Sequence, residues 1–352
     1  MASTSSTSRR VLVTGGAGFI GSHLVELLLQ RGDQVTVVDD LSTGRRQNLP
    51  QSSSLRFVHK KVSEAVATDL ANEKFDEIYH LAASVGVKLV VDDPVSCIEN
   101  NVHETSALVR FAMKAGIGQY SQYGVPTLLA STSEVYGKAE KTPFQEDDDV
   151  TYGPTTMFRW VYAQSKALDE YLGLALHKQK QFPAVITRFF NTVGPRQVGD
   201  YGMVLPRFVQ AALRNEPLRV FGDGKQTRCF CDVRDVVAVL PKLVESRGCW
   251  GRVFNIGSDR VISIRDLAEL VIKTLSSQSV VEMVPYHLAF PAGGSSGSGG
   301  AGGGGGGGGG FEDLRQRRPD SSRVRDAVGF SPTIQLTQTI LDVATSIRSE
   351  SR

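Results

Sequence analysis

Apolar and polar positions along this chain follow two periods that take turns. Val11, Leu12 and Val13 form a short apolar run, and residues 22–30 then repeat apolar side chains at helical spacing. A β-branched run at residues 34–38 follows and closes on Asp39 and Asp40. Further strand-like runs lie at 55–59, 77–83, 127–131 and 184–190. Between them, helical patterns run from Pro94 to about Ala115 and from Phe158 to Gln179. Pro94 suits a first helical turn, where its missing amide would have had no partner anyway. Short strands bounded by helices predict an α/β fold, a doubly wound parallel sheet of the Rossmann type.

The stretch 116–126, rich in Gly, Tyr and Gln, is longer than an ordinary helix-to-strand link and reads as a surface excursion. From about Asn191 the regularity loosens, with Gly, Pro and Arg clusters between short strands at 218–221 and 253–256. The expected organisation is therefore a tail at 1–10, a Rossmann domain at 11–190 and a smaller α/β lobe at 191–352. Some late elements of that lobe could pack back on the first domain. The tract 293–310 is almost wholly Gly and Ser, so it cannot bury apolar surface and reads as a flexible insertion. A terminal helix is expected at 334–346.

The 352 residues suffice for one large domain or two lobes. A net charge of +2 gives no electrostatic case for nucleic acid or an anionic membrane, so any anion recognition has to be local. No apolar run is long enough to span a bilayer, and the Ser/Thr-rich start lacks a hydrophobic segment. Cys97, Cys229, Cys231 and Cys249 have no paired metal spacing, which points to a reduced, cytoplasmic setting and to no metal site. Cys229 and Cys231 read as alternating residues on one strand, sharing one face.

Three constellations carry candidate chemistry. Gly15, Gly18 and Gly21 sit between the first strand and its helix, where glycine allows a sharp turn and close approach to a pyrophosphate. The helix N-terminus would face that negative charge, and a carboxylate at Asp39 or Asp40, about twenty residues on, would accept ribose hydroxyls of NAD. A carboxylate there favours NAD over NADP by repelling the extra phosphate. Tyr162 and Lys166 lie four apart on one helical face, and an ammonium near a phenol favours the phenolate that a general base at a sugar hydroxyl needs. The segment 131–137, Ser-Thr-Ser-Glu-Val-Tyr-Gly, leaves the carboxyl end of the fifth strand, where such sheets bind ligands. Thr132 could share the substrate proton with Tyr162, and Glu134 could act as acid, base or orienter.

With these residues in view, the chain resembles the extended short-chain dehydrogenase/reductases of the NAD-dependent epimerase/dehydratase family, which act on nucleotide sugars. The likeness also rests on His80-Leu81-Ala82-Ala83, on residues 188–196 (Arg-Phe-Phe-Asn-Thr-Val-Gly-Pro-Arg) and on Phe221-Gly222-Asp223-Gly224, and it covers nearly the full chain. It implies NAD held by Gly15, Gly18, Phe19, Ile20, Gly21, Asp39 and Asp40 with Tyr162 and Lys166. It further implies oxidation of the sugar at C4, with Tyr162, Lys166, Thr132 and Glu134 as the catalytic group. Asn191 would meet the sugar or its phosphate, and Arg228 and Arg318 would grip the diphosphate of a UDP-sugar.

Segment 128–137 is similar to that of UDP-glucuronate decarboxylases, whereas Tyr-Ala-Gln-Ser-Lys at 162–166 is closer to epimerases and dehydratases. The resemblance therefore implies decarboxylation of UDP-glucuronate ahead of 4-epimerisation of UDP-glucose or a UDP-hexuronate. A non-catalytic NAD-binding sensor or scaffold is the reading from another class, and it gives no reason for the proton-transfer residues. Lys61 departs from the family, which usually has an aspartate at that point meeting the adenine. Relatives commonly pair through the helices starting near Pro94 and Phe158, so the resemblance also implies a homodimer.

Overall fold

The computed structural model describes residues 8–84, 93–199, 203–285 and 316–350. Four strands open the chain: β1 (Arg10–Thr14), β2 (Gln34–Asp39), β3 (Leu55–His59) and β4 (Glu77–His80). Helix α1 (Phe19–Gln30) lies between the first two, and α2 (Val62–Ala67) follows the third. Then come α3 (Pro94–Ala112), β5 (Thr127–Thr132), α4 (Val161–Lys180) and β6 (Ala184–Phe189). Seven strands, the last of them β11 (Arg252–Ile256), form one sheet in the order β11-β6-β5-β4-β1-β2-β3, with every pair parallel. The order reverses between β1 and β4, where Thr14 stands opposite His80. That reversal opens a crevice at the carboxyl ends of the two strands.

Alternation along the strands divides the core in two. Val11, Val13, Val35, Val37, Tyr79, Leu128 and Val185 join one apolar cluster, while Leu12, Val38, Ile78, Leu129 and Ile186 join the other. Successive side chains point to opposite faces, so a strand with helices on both sides has to be apolar at every position.

The expected division near residue 190 is crossed. Strand β7 (Thr192–Val193), helix α5 (Val204–Leu213), β8 (Leu218–Phe221), β9 (Thr227–Cys229) and β10 (Cys231–Asp232) leave the sheet. Helix α6 (Val233–Glu245) then returns to pack on it through Val233, Val236 and Leu240, and β11 (Arg252–Ile256) pairs with β6 as the seventh strand. The run expected among the lobe's short strands is thus part of the main sheet, because Val253, Phe254 and Ile256 all need burial. The remaining elements are β12 (Val261–Ser263), α7 (Ile264–Leu275), β13 (Val281–Val284), β14 (Gln316–Arg317), α8 (Ser322–Val328) and α9 (Leu336–Glu350). A separate cluster of Leu205, Phe208, Leu218, Val220, Leu267, Val271, Ile340 and Val343 forms the core of the smaller lobe.

Three further expectations shift. The fourth strand stops at His80, and residues 81–84 form a loop against the glycine turn. Phe230 breaks the expected Cys229–Cys231 strand, so Cys229 pairs with Val261 in one sheet and Cys231 with Thr192 in another. Both thiols are still buried and free, as are Cys97 and Cys249. In the stretch 116–126 only the tip is exposed; Gly116, Gly124, Val125 and Pro126 are buried, with Gly116 bridged to Phe75. The Gly/Ser tract 293–310 lies outside the described residues.

Candidate active site

At the carboxyl end of β1 the chain turns into α1 through four residues, and two of its glycines are sterically compelled. Gly15 has φ +70°, and a Cβ there would sit 2.6 Å from the amide nitrogen of Ala82. At Gly21 a Cβ would come within 2.1 Å of the Gly15 carbonyl oxygen. No side chain caps the helix at Gly18, so its first-turn amides are placed to bind an anion. Phe19 and Ile20 are half-buried in that turn.

Asp39 lies beneath the turn and accepts the backbone N–H groups of Ala17 and Leu41, each at 2.9 Å. Each carboxylate oxygen keeps a second lone pair for a ribose hydroxyl. Burial raises the pKa of this carboxyl, and the two backbone bonds only partly offset it. Asp40, by contrast, is exposed and folds onto Ser42. The glycine turn and Asp39 therefore fit a dinucleotide. Lys61 is exposed, and its ammonium donates to Asn100 at 3.2 Å.

Across the crevice, Thr132 ends β5 and its hydroxyl accepts the Glu134 N–H at 3.2 Å, turning the chain into the one-turn helix Ser133–Tyr136. The Tyr162 phenol and the Thr132 hydroxyl lie close enough for the hydroxyl to favour the phenolate, so the structure brings these two residues to one side of the crevice. The expected coupling of Tyr162 to Lys166 differs. Lys166 Nζ pairs with Asp169 at 2.8 Å. The Tyr162 phenol is pushed well above its ordinary value, first by burial and then by the negative charge of Glu134. Helical spacing places a lysine and a tyrosine on one face but does not say which neighbour takes the ammonium.

Behind Lys166 stands His80, whose Nδ1 lies 2.7 Å from the Thr14 hydroxyl and whose Nε2 lies 3.0 Å from that of Thr105. Burial, then the Lys166 charge, drives its pKa down to about 3, so the ring is neutral and ties β1 to α3.

Glu134 is the focus of three arginines. Arg317 Nη1 pairs with its Oε1, Arg159 Nη2 lies 3.7 Å from its Oε2, and Arg228 adds charge from farther off. Burial pushes the Glu134 carboxyl up, but Arg317 and Arg159 outweigh it and hold it below the usual carboxylate range. Arg228 and Arg317 are neighbours because β9 and β14 pair in parallel with these two residues in register.

Arg318 does not join them. It is exposed, and its carbonyl accepts the Phe144 N–H at 2.8 Å. Arg317 is buried at the end of β14, whereas Arg318, one residue past the strand, is exposed and brings its charge to Cys229 and not to Glu134. Asn191 has φ 34°, and its amide donates to the Cys229 carbonyl at 3.1 Å, fixing the corner between β6 and β7. Arg317, Arg159, Asp169 and His80 are the site residues that sequence reasoning missed. The Arg-Arg doublet was a signal for the first, and the place of Arg159 three residues before Tyr162 a signal for the second. Among the described residues no group of His, Cys, Asp or Glu could hold a metal ion, and no helix is long and apolar enough to cross a membrane.

The family model for the NAD dependent epimerase/dehydratase family matches residues 11–257. A UDP-N-acetyl-alpha-D-glucosaminuronate decarboxylase of Bacillus cytotoxicus is 35% identical over 332 residues, covering 94% of this chain and 95% of that protein. UDP-glucuronic acid decarboxylase 4 of Arabidopsis thaliana is 33% identical over 94% of this chain, which spans 66% of that relative's length. Among solved structures, a UDP-N-acetylglucosamine 4-epimerase from Methanobrevibacter ruminantium superposes with a TM-score of 0.82 at 25% identity. That match covers 97% of this chain and 99% of the epimerase.

Proposed function

This chain belongs to the NAD-dependent epimerase/dehydratase family, and on that premise we propose that it decarboxylates a UDP-linked uronate, UDP-glucuronate first, through a ketone at C4 of the sugar. The observation that carries the reading is the cluster of arginines around Glu134. Arg317 pairs with this carboxylate, Arg159 lies 3.7 Å from it and Arg228 adds its charge, on the side of the crevice that also holds Tyr162 and Thr132. A diphosphate and a sugar carboxylate are the anions such a cluster suits, and a forked guanidinium meets either with two bonds.

Bound NAD supplies the hydride acceptor and donor. The turn of Gly15, Gly18, Phe19, Ile20 and Gly21 holds its pyrophosphate, and Asp39 its ribose, with Asp40 left at the rim. Thr132 orients the C4 hydroxyl, and Tyr162 takes its proton. With a ketone at C4, the uronate is a β-keto acid: the bond to the carboxyl carbon breaks, its electrons pass into the ketone, and carbon dioxide leaves. Glu134 faces the ring, and Arg317 keeps it ionised. Arg228 and Arg317 grip the diphosphate, Arg317 replacing Arg318 in that role, and Asn191 meets the sugar or its phosphate. Lys166 completes the group beside Tyr162.

A second reading, 4-epimerisation of UDP-glucose, draws on the Tyr-Ala-Gln-Ser-Lys helix and on the likeness to the Methanobrevibacter epimerase. The test gives the purified protein, loaded with NAD, UDP-glucuronate and UDP-glucose side by side. Consumption of the uronate by wild type, and not by Tyr162→Phe, supports decarboxylation; conversion of UDP-glucose to UDP-galactose supports the second reading. Loss of neither substrate overturns both.

The four buried free cysteines suit a reducing compartment, and the cytoplasm is the proposed location. We also propose a homodimer. Leu168 and Tyr171 on α4 are 53% and 66% exposed, and Val95 and Ile98 on the adjoining α3 are exposed too. Apolar residues grouped on two packed helices are suited to a second copy of the same face. Sedimentation of Tyr171→Asp as a monomer where wild type is a dimer would support this; a monomeric wild type contradicts it.

A further inference from the structure

The ion pair inside the catalytic helix has no part in the chemistry above, yet it governs a residue that does. Lys166 Nζ and Asp169 Oδ2 are 2.8 Å apart, and each side chain is only 3% exposed. Neither end is in water, so the pair is screened little by salt. Asp169 holds the lysine from its own helix, on which Tyr162 stands one turn earlier; His80 lies near it from the end of β4 and Cys97 from α3, while Glu134 faces Tyr162 from the turn after β5. His80 is neutral and hydrogen-bonded on both nitrogens, so it does not compete for the ammonium. Glu170, next along the helix, is held by a bidentate bond to Arg188 at 2.9 and 2.6 Å and is not a competitor either. Asp169 is thus the carboxylate that claims Lys166.

We infer that Asp169 is a positioning residue that sets how much of the Lys166 charge reaches the Tyr162 phenol, and through it the pH at which that phenol accepts a proton. The inference rests on the reading of Tyr162 as the base. The Asp169 carboxylate acts twice with one sign. It neutralises the ammonium one helical turn from Tyr162, and its own charge opposes the phenolate. An amide of the same shape removes both effects and leaves Lys166 free to turn toward the phenol.

The experiment titrates the protein with base and follows tyrosinate by ultraviolet difference absorbance, with Tyr162→Phe subtracting the other tyrosines. In Asp169→Asn the Tyr162 transition moves down by about one pH unit or more, which is about tenfold more phenolate at a given pH. Asp169→Glu, which restores a carboxylate, stays near wild type. In the NAD-loaded enzyme the acid limb of kcat/KM moves down with it while KM is little changed. A transition that stays in place, or moves up, in Asp169→Asn overturns the inference. Should the asparagine variant not fold, Asp169→Ser removes the charge and admits water, and the same shift is required of it. The titration needs no turnover. A shifted transition in a protein that consumes no UDP-sugar sinks the catalytic reading alone, and normal turnover with an unshifted transition sinks this inference alone.

Discussion

Replacing Arg317 with methionine removes the cation nearest Glu134 and keeps most of the side-chain volume. In the folded protein burial raises the Glu134 carboxyl, and the arginines, Arg317 first among them, bring it below the 4.5 of a free glutamate. A group depressed on folding contributes stability above its unfolded value and loses it as pH falls through its folded value. An opposite charge in contact is worth about 1 to 3 pKa units, and one unit is 1.36 kcal/mol. Losing Arg317 therefore costs about 1 to 4 kcal/mol at neutral pH, and the 28% exposure of Glu134 places the loss toward the low end of that range. The assay is thermal unfolding of wild type and Arg317→Met across an acid-to-neutral series. The gap between the two is expected to be widest near neutrality and to close below about pH 4.5, where the carboxyl is protonated in both unfolded chains. Glu134→Gln should remove most of the gap at every pH. A gap that is constant with pH, or that persists in the Glu134→Gln background, would refute the coupling.

Other perturbations separate the roles. Gly21→Ala places a Cβ against the Gly15 carbonyl and is expected to abolish NAD retention, read as loss of the cofactor's absorbance in the purified protein. Arg318→Ala, at an exposed position just past β14, should leave KM for the UDP-sugar near wild type where Arg317→Ala raises it, and equal effects would contradict the assignment of Arg317. Glu170→Gln breaks a buried pair with Arg188 and leaves the guanidinium uncompensated. It is expected to lower stability by about 3 to 5 kcal/mol in chemical denaturation.

The sheet was legible because each strand is short, apolar and bounded by a helix of clear period. The glycine turn was legible because its spacing has a steric cause. Residues 253–256 were misplaced for a physical reason: an apolar run records the need for burial and not which sheet provides it. The same limit applies at the site. Thr132 and Tyr162 meet as expected, since a strand end and a helix face fix both. Lys166 turned out to be engaged by Asp169, and Arg317, the neighbour of Arg318, pairs with Glu134, because partner choice depends on packing across the whole fold. The roles of Arg159 and His80 could not be read from their places in the sequence. They matter through Glu134 and Lys166, which lie near them only after folding.

The claim that the charge around Glu134 serves decarboxylation is tested most directly by following the carboxyl carbon itself. UDP-glucuronate labelled in that carbon is incubated with the NAD-loaded protein, and released carbon dioxide is trapped and counted. The account predicts label in the trap, a UDP-pentose of matching amount in solution, and neither with Tyr162→Phe. Consumption of the substrate with all of the label still in the sugar would contradict it.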